Sequence, residues 1–389
     1  MALRKNGGSY MVSEPYQATF PRKEQSLDLR TQQDGKTLKP VILKLIDRQN
    51  LGFREAQESI RLIMSGNATN SQIGCFLAAL RMKSETVEEV SGFASAMREY
   101  SNTIQPKVNG KLLDTCGTGG DKLGTFNIST ISMLVAAGSG VSVAKHGNRS
   151  ASSKCGSADL LEYLGVNINQ TPKKVERQIE KVGVGFMFAP VFHPAMKYAL
   201  KPRKELGIRT VFNILGPLTN PANADVQLLG VYSPKLTEPL ARALCKLGVE
   251  EAMVVHGVDG MDEISTTGPT IVSWLRNQEI INHRFTPKDF GVEKTSLHKL
   301  RSQGVEHSAE ITYKVLTGEA EKSHIDIVLV NSMASILISG LSDRFTKAME
   351  LARESIESGE AYSKLKNLVK LSGGDLGPLE NFENERYLR

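Results

Sequence analysis

Between residues 41 and 104 the apolar positions recur at helical spacing, and no run alternates with the period of a strand. Ser65-Gly66 is predicted to end the second helix of this region, Ser71 to cap the third and Thr86 to cap the fourth. We therefore expect a small all-helical domain over residues 41–105. The apolar stripes behind this prediction lie within Val41–Ile46, Phe53–Ile63, Ile73–Leu80 and Val90–Met97.

From Lys111 onward, predicted strands and helices alternate. This order is typical of a mostly parallel central sheet with helices on both faces, and such sheets bind ligands beyond the carboxyl ends of their strands. We expect a larger α/β domain over residues 110–190 and 220–372. The predicted elements include helix Ser129–Ala137, strand Val141–Ala144, helix Asp159–Leu164, strand Gln227–Val231, helix Leu236–Leu247 and strand Ala252–His256.

Three further segments complete the predicted organisation. Residues 193–218 interrupt the alternation, and we interpret them as folding back onto the N-terminal helices to make the small domain discontinuous. Residues 1–40 are polar and rich in turn formers, which favours a loosely ordered extension. Residues 305–371 show helical spacing again, and residues 373–389 are predicted to be a C-terminal tail.

Composition narrows the class of protein without choosing a function. A length of 389 residues suits two domains, and 40% hydrophobic with 23% charged residues is typical of a folded, soluble chain. The net charge of +6 is compatible with an anionic small substrate as well as with nucleic acid. The four cysteines are scattered, and we find neither a membrane-spanning run nor a secretory signal. We expect a cytoplasmic protein.

The strongest local signal is a glycine loop, Asp114–Asp121, followed by the segment Thr125–Thr130 at a predicted helix start. Glycines allow the backbone to approach a ligand closely, and the first turn of a helix offers free N–H groups to an anion. The loop has neither the GK[ST] of a Walker loop nor the spacing of a dinucleotide fingerprint. A capped turn without a ligand would show the same local pattern.

Two more polar groups follow predicted strands. The run Lys145–Ser153 combines cations, an amide and hydroxyls, which suits a pyrophosphate or a ribose phosphate, and Ser157 is predicted to cap the next helix. Asp262-Glu263 comes after a later strand and could hold a hard cation together with substrate phosphates. A solvated basic loop and a solvated acidic pair are the alternatives, and only the shared sheet edge argues against them.

Taken in order, these motifs resemble those of the anthranilate phosphoribosyltransferases. The resemblance extends from about Val41 to Leu371. It implies the nucleoside phosphorylase/phosphoribosyltransferase fold, with the site in the cleft between the helical and α/β domains. The motifs that carry the resemblance are Gly117–Asp121, Lys145–Arg149, Asn213–Pro221, Asp262-Glu263 and, later, Asp289–Gly291.

The resemblance also implies a role for individual residues. Asp262, Glu263 and Ser129 would contact two magnesium ions. Gly117, Asn148, His193, Arg203 and Pro217 would form the anthranilate site, where Arg203 meets the carboxylate. Phosphoribosyl pyrophosphate (PRPP) would be bound by Gly117, Gly120, Asp121, Thr125, Asn127, Ile128, Ser129, Thr130, Lys145, His146, Gly147, Asn148, Arg149, Ser150, Ala151, Ser152, Ser153 and Ser157.

The implied reaction moves the phosphoribosyl group from PRPP to the amine of anthranilate, in tryptophan biosynthesis. We assign no essential general base, because an aromatic amine is already neutral at pH 7. The resemblance also suggests a homodimer. Two alternatives remain open. A pyrimidine nucleoside phosphorylase would use free phosphate and has no need of the acidic pair, whereas a non-catalytic nucleic-acid binder is favoured only by the basic balance.

Overall fold

The computed structural model describes residues 37–150 and 154–387. The first 36 residues of the predicted N-terminal extension, and Ala151, Ser152 and Ser153 of the predicted PRPP site, lie outside this part of the chain. The helices are α1 Lys39–Ile46, α2 Phe53–Met64, α3 Asn70–Lys83, α4 Val87–Glu99, α5 Ile128–Gly138, α6 Ser157–Tyr163, α7 Pro172–Val182, α8 Ala189–Phe192, α9 Lys197–Leu206, α10 Phe212–Leu215, α11 Thr237–Lys246, α12 Val305–Leu316, α13 Lys322–Ile338, α14 Phe345–Glu357, α15 Glu360–Ser372 and α16 Gly377–Tyr387. The strands are β1 Leu112–Gly117, β2 Ser142–Gly147, β3 Val184–Phe188, β4 Val226–Gly230, β5 Glu251–Gly257, β6 Thr270–Arg276 and β7 Glu279–Phe285.

Helices α3 and α4 each begin after a residue whose side chain accepts a free N–H group of the first turn. Thr86 caps α4 as predicted, since its side chain accepts a hydrogen bond from the Glu89 N–H. The predicted cap Ser71 is wrong, because Thr69 caps α3 instead. Thr69 and Gln72 exchange side-chain hydrogen bonds with each other's backbone N–H at 3.2 Å, and this reciprocal pair fixes the start of α3.

The segment between β3 and β4 packs onto these N-terminal helices. Helix α9 contacts α2 and α3, and Phe212 and Leu215 of α10 are buried in the same apolar cluster as α1–α4. This cluster continues into one face of the sheet through Leu229 and Val254. The helical part therefore shares its core with the α/β part.

The sheet has seven strands in the order β3-β2-β1-β4-β5-β6-β7. Strands β1 to β5 are parallel, whereas β6 and β7 pair antiparallel at one edge. The predicted fold class, a small helical domain with a larger, mostly parallel α/β domain, is confirmed. The sequence analysis did not identify β6 and β7, which are joined by Asn277 and Gln278, both with positive φ.

The C-terminal third is helical, as predicted, and covers one face of the sheet. Helix α13 packs against α5 and is buried along nearly its whole length. Residues 377–387, within the predicted C-terminal tail, instead form α16, because Leu379 is fully buried in the main core. Across the described ranges, none of the helices has the length and apolar character needed to cross a membrane.

Candidate active site

The glycine loop leaves the carboxyl end of β1 in a conformation that requires glycine. Gly119 and Gly120 have φ values of +65° and +79°, in the left-handed region. The loop returns to Asn127, after which α5 begins with Ile128. The predicted order of strand, glycine loop and helix is therefore present, and it places the first turn of α5 beside the end of β1.

Polar atoms without a partner lie at this turn. The Asn127 Oδ1 and Thr130 Oγ1 atoms are buried, and each lacks a hydrogen-bond partner in the described part of the chain. Buried polar atoms are nearly always paired, so an unpaired one often marks a ligand position. Asn127 does use its Nδ2 atom, which donates to the Cys155 carbonyl at 3.2 Å.

Lys145, at the end of β2, reaches across to the glycine loop and α5. Its ammonium group is buried and donates to the Thr115 carbonyl and, at 3.2 Å, to the Ser129 Oγ atom. Burial lowers the pKa of Lys145, while the nearby carboxylates of Asp114 and Glu263 oppose this effect. The structure thus brings the first two sequence motifs together at one sheet edge.

The residues after Lys145 divide into two environments. Gly147 closes β2 beside the site, whereas Asn148 and Arg149 are exposed. The Arg149 guanidinium is held by Glu162 at 2.6 Å and by Asp159 at 3.1 Å, so it faces α6 rather than the glycine loop. In this arrangement the Arg149 guanidinium is not in position for its predicted contact with PRPP.

The predicted cap Ser157 is the first residue of α6, and the cap is Gly156. The Asp159 Oδ2 atom accepts the N–H groups of Gly156 at 2.9 Å and Ser150 at 3.0 Å. Asp159 therefore fixes both ends of the loop after β2. The Ser157 hydroxyl makes a 3.4 Å contact with the Asn148 carbonyl, close to the sheet edge.

Asp262 and Glu263 reach the same edge from the loop after β5. The Asp262 Oδ2 atom accepts the Gly119 N–H at 2.7 Å, and the Glu263 Oε1 atom accepts the Ser129 N–H at 3.1 Å. The loop also lies directly against β4, since a Cβ atom on Gly230 would lie 1.6 Å from the Asp262 carbonyl oxygen. The third sequence motif is therefore joined to the first by direct hydrogen bonds.

Burial and mutual repulsion govern the charge of the acidic pair. Burial, followed by the charge of Asp121, raises the pKa of Asp262 to about 7. Burial, followed by the charge of Asp262, raises the pKa of Glu263 to about 8. A divalent cation would relieve this repulsion, and carboxylate oxygens are the ligands that Mg²⁺ prefers.

The chain supplies only part of such a coordination shell. Within residues 37–150 and 154–387, no cluster of three or more His, Cys, Asp or Glu residues is arranged to hold a metal unaided. Mg²⁺ commonly binds one or two protein carboxylates and completes its shell with substrate phosphates and water. The acidic pair fits that mode of binding.

Two histidines lie beside each other next to the glycine loop's strand. The rings of His146 and His193 are 4.9 Å apart between centroids, and His193 Nε2 lies 3.0 Å from the Thr219 carbonyl. Burial lowers the pKa of His146 to about 3 and that of His193 to about 4. Both are therefore neutral at pH 7.

Arg203 is a half-buried cation without an acidic partner. Its guanidinium lies 5.1 Å from the Phe212 ring centroid, and no carboxylate of the described residues lies within ion-pair distance. Burial lowers the pKa of Arg203. In the segment that follows α10, the carbonyl of Pro217 accepts a hydrogen bond from Gln227 Nε2 at 2.7 Å, which fixes the loop before β4. This arrangement suits the binding of an external anion.

The sequence analysis missed two residues that contact these loops. Arg209 donates to the Gly120 carbonyl and lies over the Tyr232 ring, 4.3 Å from its centroid. Asn331 of α13 hydrogen-bonds the backbone of Ile264, next to the acidic pair. Arg209 belongs to no local motif. Asn331 carried a usable signal, because it is an amide within a long apolar helical run.

Two family descriptions match the chain, and together they cover most of it. The description "Glycosyl transferase family, helical bundle domain" matches residues 39–101. The description "Glycosyl transferase family, a/b domain" matches residues 109–362.

Proteins named anthranilate phosphoribosyltransferase are similar to this chain over nearly their full length. The protein of Acetivibrio thermocellus is 51% identical over 335 residues, which are 86% of this chain and 96% of the relative. The crystal structure from Thermus thermophilus has a TM-score of 0.81 and 41% identity, covering 85% of this chain and 98% of the other. The enzyme of Saccharomyces cerevisiae in complex with PRPP and Mg has a TM-score of 0.80 and 29% identity, covering 86% and 98%.

Proposed function

The chain belongs to the anthranilate phosphoribosyltransferase family, and from this premise we propose how its residues share the reaction. The enzyme transfers the 5-phosphoribosyl group of PRPP to the amine of anthranilate and releases pyrophosphate, in tryptophan biosynthesis. The observation that carries the residue assignments is the meeting of three polar loops from the ends of β1, β2 and β5 at one sheet edge.

PRPP binds along this edge. The N–H groups at the start of α5 and the ammonium group of Lys145 suit the pyrophosphate, and the unpaired oxygens of Asn127 and Thr130 can accept hydrogen bonds from ribose hydroxyls. Gly147, Asn148 and Ser157 would close the site from the β2 side. Arg149 would have to leave Glu162 and Asp159 to contact a phosphate.

The enzyme uses Mg²⁺, as the yeast relative's complex indicates, and we infer two ions at Asp262 and Glu263 with Ser129 nearby. Bound there, Mg²⁺ would neutralise the charge that develops on the departing pyrophosphate. The protein's own part is to hold two carboxylates at fixed positions. The Gly119 and Ser129 N–H groups do this by donating to them.

Anthranilate binds on the side of α9. A relative from Saccharomyces cerevisiae has been solved in complex with 4-fluoroanthranilate, with a TM-score of 0.78 and 28% identity, covering 86% of this chain and 98% of that one. In this chain Arg203 is the half-buried cation available for the carboxylate, and guanidinium can bind both oxygens. Gly117, Asn148, His193 and Pro217 would line the rest of the acceptor's path.

The reaction needs little acid–base help from the chain. The amine of anthranilate attacks the anomeric carbon while the bond to pyrophosphate breaks. The amine is neutral beforehand, and the proton that its nitrogen loses as the new bond forms passes to water or to the departing pyrophosphate. His146 and His193 are neutral at pH 7, so neither adds a positive charge beside the bound substrates. We therefore assign no essential general base. Catalysis comes from alignment of the two substrates and from stabilisation of the leaving group, to which Lys145 contributes.

A homodimer through the helical part is proposed from its surface. Leu43 of α1, Met82 of α3 and Leu200 of α9 are 63%, 77% and 57% exposed, and the three helices are neighbours. Exposed apolar side chains on neighbouring helices favour association. We expect sedimentation of the full chain to give twice the monomer mass.

We also propose a cytoplasmic location, where the cysteines stay reduced, and no nucleic-acid or membrane partner.

A single assay with omissions tests the function. Fluorescence of anthranilate should fall only when PRPP and Mg²⁺ are both present, with release of pyrophosphate. A nucleoside phosphorylase would instead consume a pyrimidine nucleoside and free phosphate. Activity with the second pair and none with the first would overturn the assignment.

A further inference from the structure

A polar side chain lies at the centre of α13, a long helix that is buried over most of its length. Asn331 belongs to α13, whose residues from Asp326 to Ile338 are buried, and it has no exposed surface itself. Burying an amide is unfavourable unless its hydrogen bonds are satisfied. Its partners should therefore reveal what it does.

Asn331 binds both backbone groups of one residue in the loop after β5. Its Oδ1 atom accepts the Ile264 N–H at 2.9 Å, and its Nδ2 atom donates to the Ile264 carbonyl at 3.0 Å and to the Ile327 carbonyl at 2.9 Å. The two contacts with Ile264 hold a peptide segment much as a neighbouring strand would. Ile264 directly follows Glu263, so Asn331 fixes the chain one residue from the acidic pair.

A second device holds the other side of the same loop. The Asp259 carboxylate accepts the Met261 N–H at 3.1 Å and the Ser265 hydroxyl at 2.6 Å, and it also accepts the Thr267 hydroxyl. Asp262 and Glu263 thus lie between an anchor made within the loop and an anchor made by α13. Of these two anchors, only the one made by Asn331 comes from outside the loop, so it adds a fixed point on α13 to the contacts that the pair makes with Gly119 and Ser129.

The position of the pair matters more for magnesium than for folding. Mg²⁺ requires near-ideal octahedral geometry, and residues that orient ligands from behind commonly change metal affinity about 10- to 100-fold. We propose that Asn331 is a positioning residue, which sets the magnesium-binding geometry of Asp262 and Glu263 through the backbone of Ile264. This inference rests on the proposed role of the acidic pair in holding magnesium.

The test compares Asn331→Ala with two variants of the same helix. Ser335→Ala removes a buried hydroxyl that donates to the Asn331 carbonyl, and Leu329→Ala removes a fully buried apolar side chain. PRPP binding is measured by calorimetry over a range of Mg²⁺ concentrations without anthranilate, so that no turnover is needed. Melting temperatures are measured on the same samples.

We expect Asn331→Ala to raise the Mg²⁺ concentration for half-maximal PRPP binding by about 10- to 100-fold. Both control variants should keep the wild-type Mg²⁺ dependence of PRPP binding, even if Leu329→Ala lowers the melting temperature as much as Asn331→Ala does. An unchanged Mg²⁺ dependence in Asn331→Ala would show that the amide serves stability alone and would overturn the proposal. Asn331→Ser replaces the amide by a hydroxyl and should give a smaller shift in the Mg²⁺ concentration for half-maximal PRPP binding. This variant keeps the test decisive if the alanine variant does not fold.

Failure of the metal assignment itself would look different. If replacing Asp262 and Glu263 by Ala leaves the Mg²⁺ dependence of PRPP binding unchanged, the acidic pair does not hold the metal. That result overturns the proposed metal site, and the Asn331 inference falls with it. If the acidic pair matters and Asn331 does not, only the inference falls.

Discussion

Replacing Arg203 by alanine should separate the two substrate sites. The Arg203 guanidinium is half-buried, lies against the Phe212 ring and has no carboxylate within ion-pair distance in the described residues. A cation held in this way lacks a counter-charge until an anion binds. We expect Arg203→Ala to raise the KM for anthranilate far more than the KM for PRPP.

The size of the effect follows from the kind of contact. A hydrogen bond between charged groups contributes about 1.5–3 kcal/mol, which corresponds to about a ten- to hundredfold loss in kcat/KM for anthranilate. Two unit charges about 4 Å apart near a protein surface interact by about 4 kcal/mol, which sets an upper bound. Arg203→Lys should fall between, because lysine keeps the charge but loses the planar fork and its packing on Phe212.

Steady-state kinetics with each substrate varied separately provide the measurement. Lys204→Ala removes an exposed cation from the neighbouring position of α9 and should leave both KM values unchanged. Aniline, which lacks the carboxylate, gives a second control, because Arg203→Ala should hardly affect its low reactivity. An unchanged KM for anthranilate in Arg203→Ala would mean that the carboxylate is bound elsewhere.

Three further substitutions test other parts of the structure. Replacing Asp262 and Glu263 together by Ala should lower turnover at limiting Mg²⁺ by about a hundredfold or more, with the melting temperature as a check on folding; near-normal turnover would refute their metal role. Gly230→Ala should abolish activity, since its Cβ would overlap the Asp262 carbonyl, whereas Gly268→Ala, with open space at that position, should remain active. Glu89→Ala should lower the free energy of unfolding in urea by about 3–5 kcal/mol without changing either KM, because it removes the carboxylate that pairs with the buried Lys83 side chain. A loss below about 1 kcal/mol would contradict this.

Local chemistry explains which parts of the fold and site could be predicted. The N-terminal helices, the alternating strands and helices that follow, and the three polar loops can each be predicted from a short stretch of sequence. The structure shows these elements. The cap of α3 could also have been predicted, since Thr69 and Gln72 have the spacing of a capping box. The hairpin of β6 and β7 could have been predicted as well, because two strand-like runs are separated by two residues.

Long-range geometry explains what sequence reasoning could not reach. Arg149 has the right chemistry for a phosphate, but acids on α6 determine where its guanidinium lies. Arg209 and Asn331 act on backbone atoms that are distant in sequence, at Gly120 and Ile264. Backbone groups carry no sequence signature, so the contact of Arg209 could not be predicted. Asn331 could be noticed as an amide within an apolar helix, but its partner Ile264 could not.

The strand order also determines when the enzyme becomes complete during its synthesis. Strand β1 pairs with β2 on one side and with β4 on the other, and β4 begins 38 residues after β3 ends, from Phe188 to Val226. At a synthesis rate of about 5–20 residues per second, about 2–8 seconds pass on the ribosome between completion of β3 and the start of β4. During that time one edge of β1 has no neighbouring strand. An unpaired strand edge can recruit other chains during that interval. Asn331 emerges later still, so a nascent chain that already holds every substrate loop lacks the side chain that anchors the acidic pair.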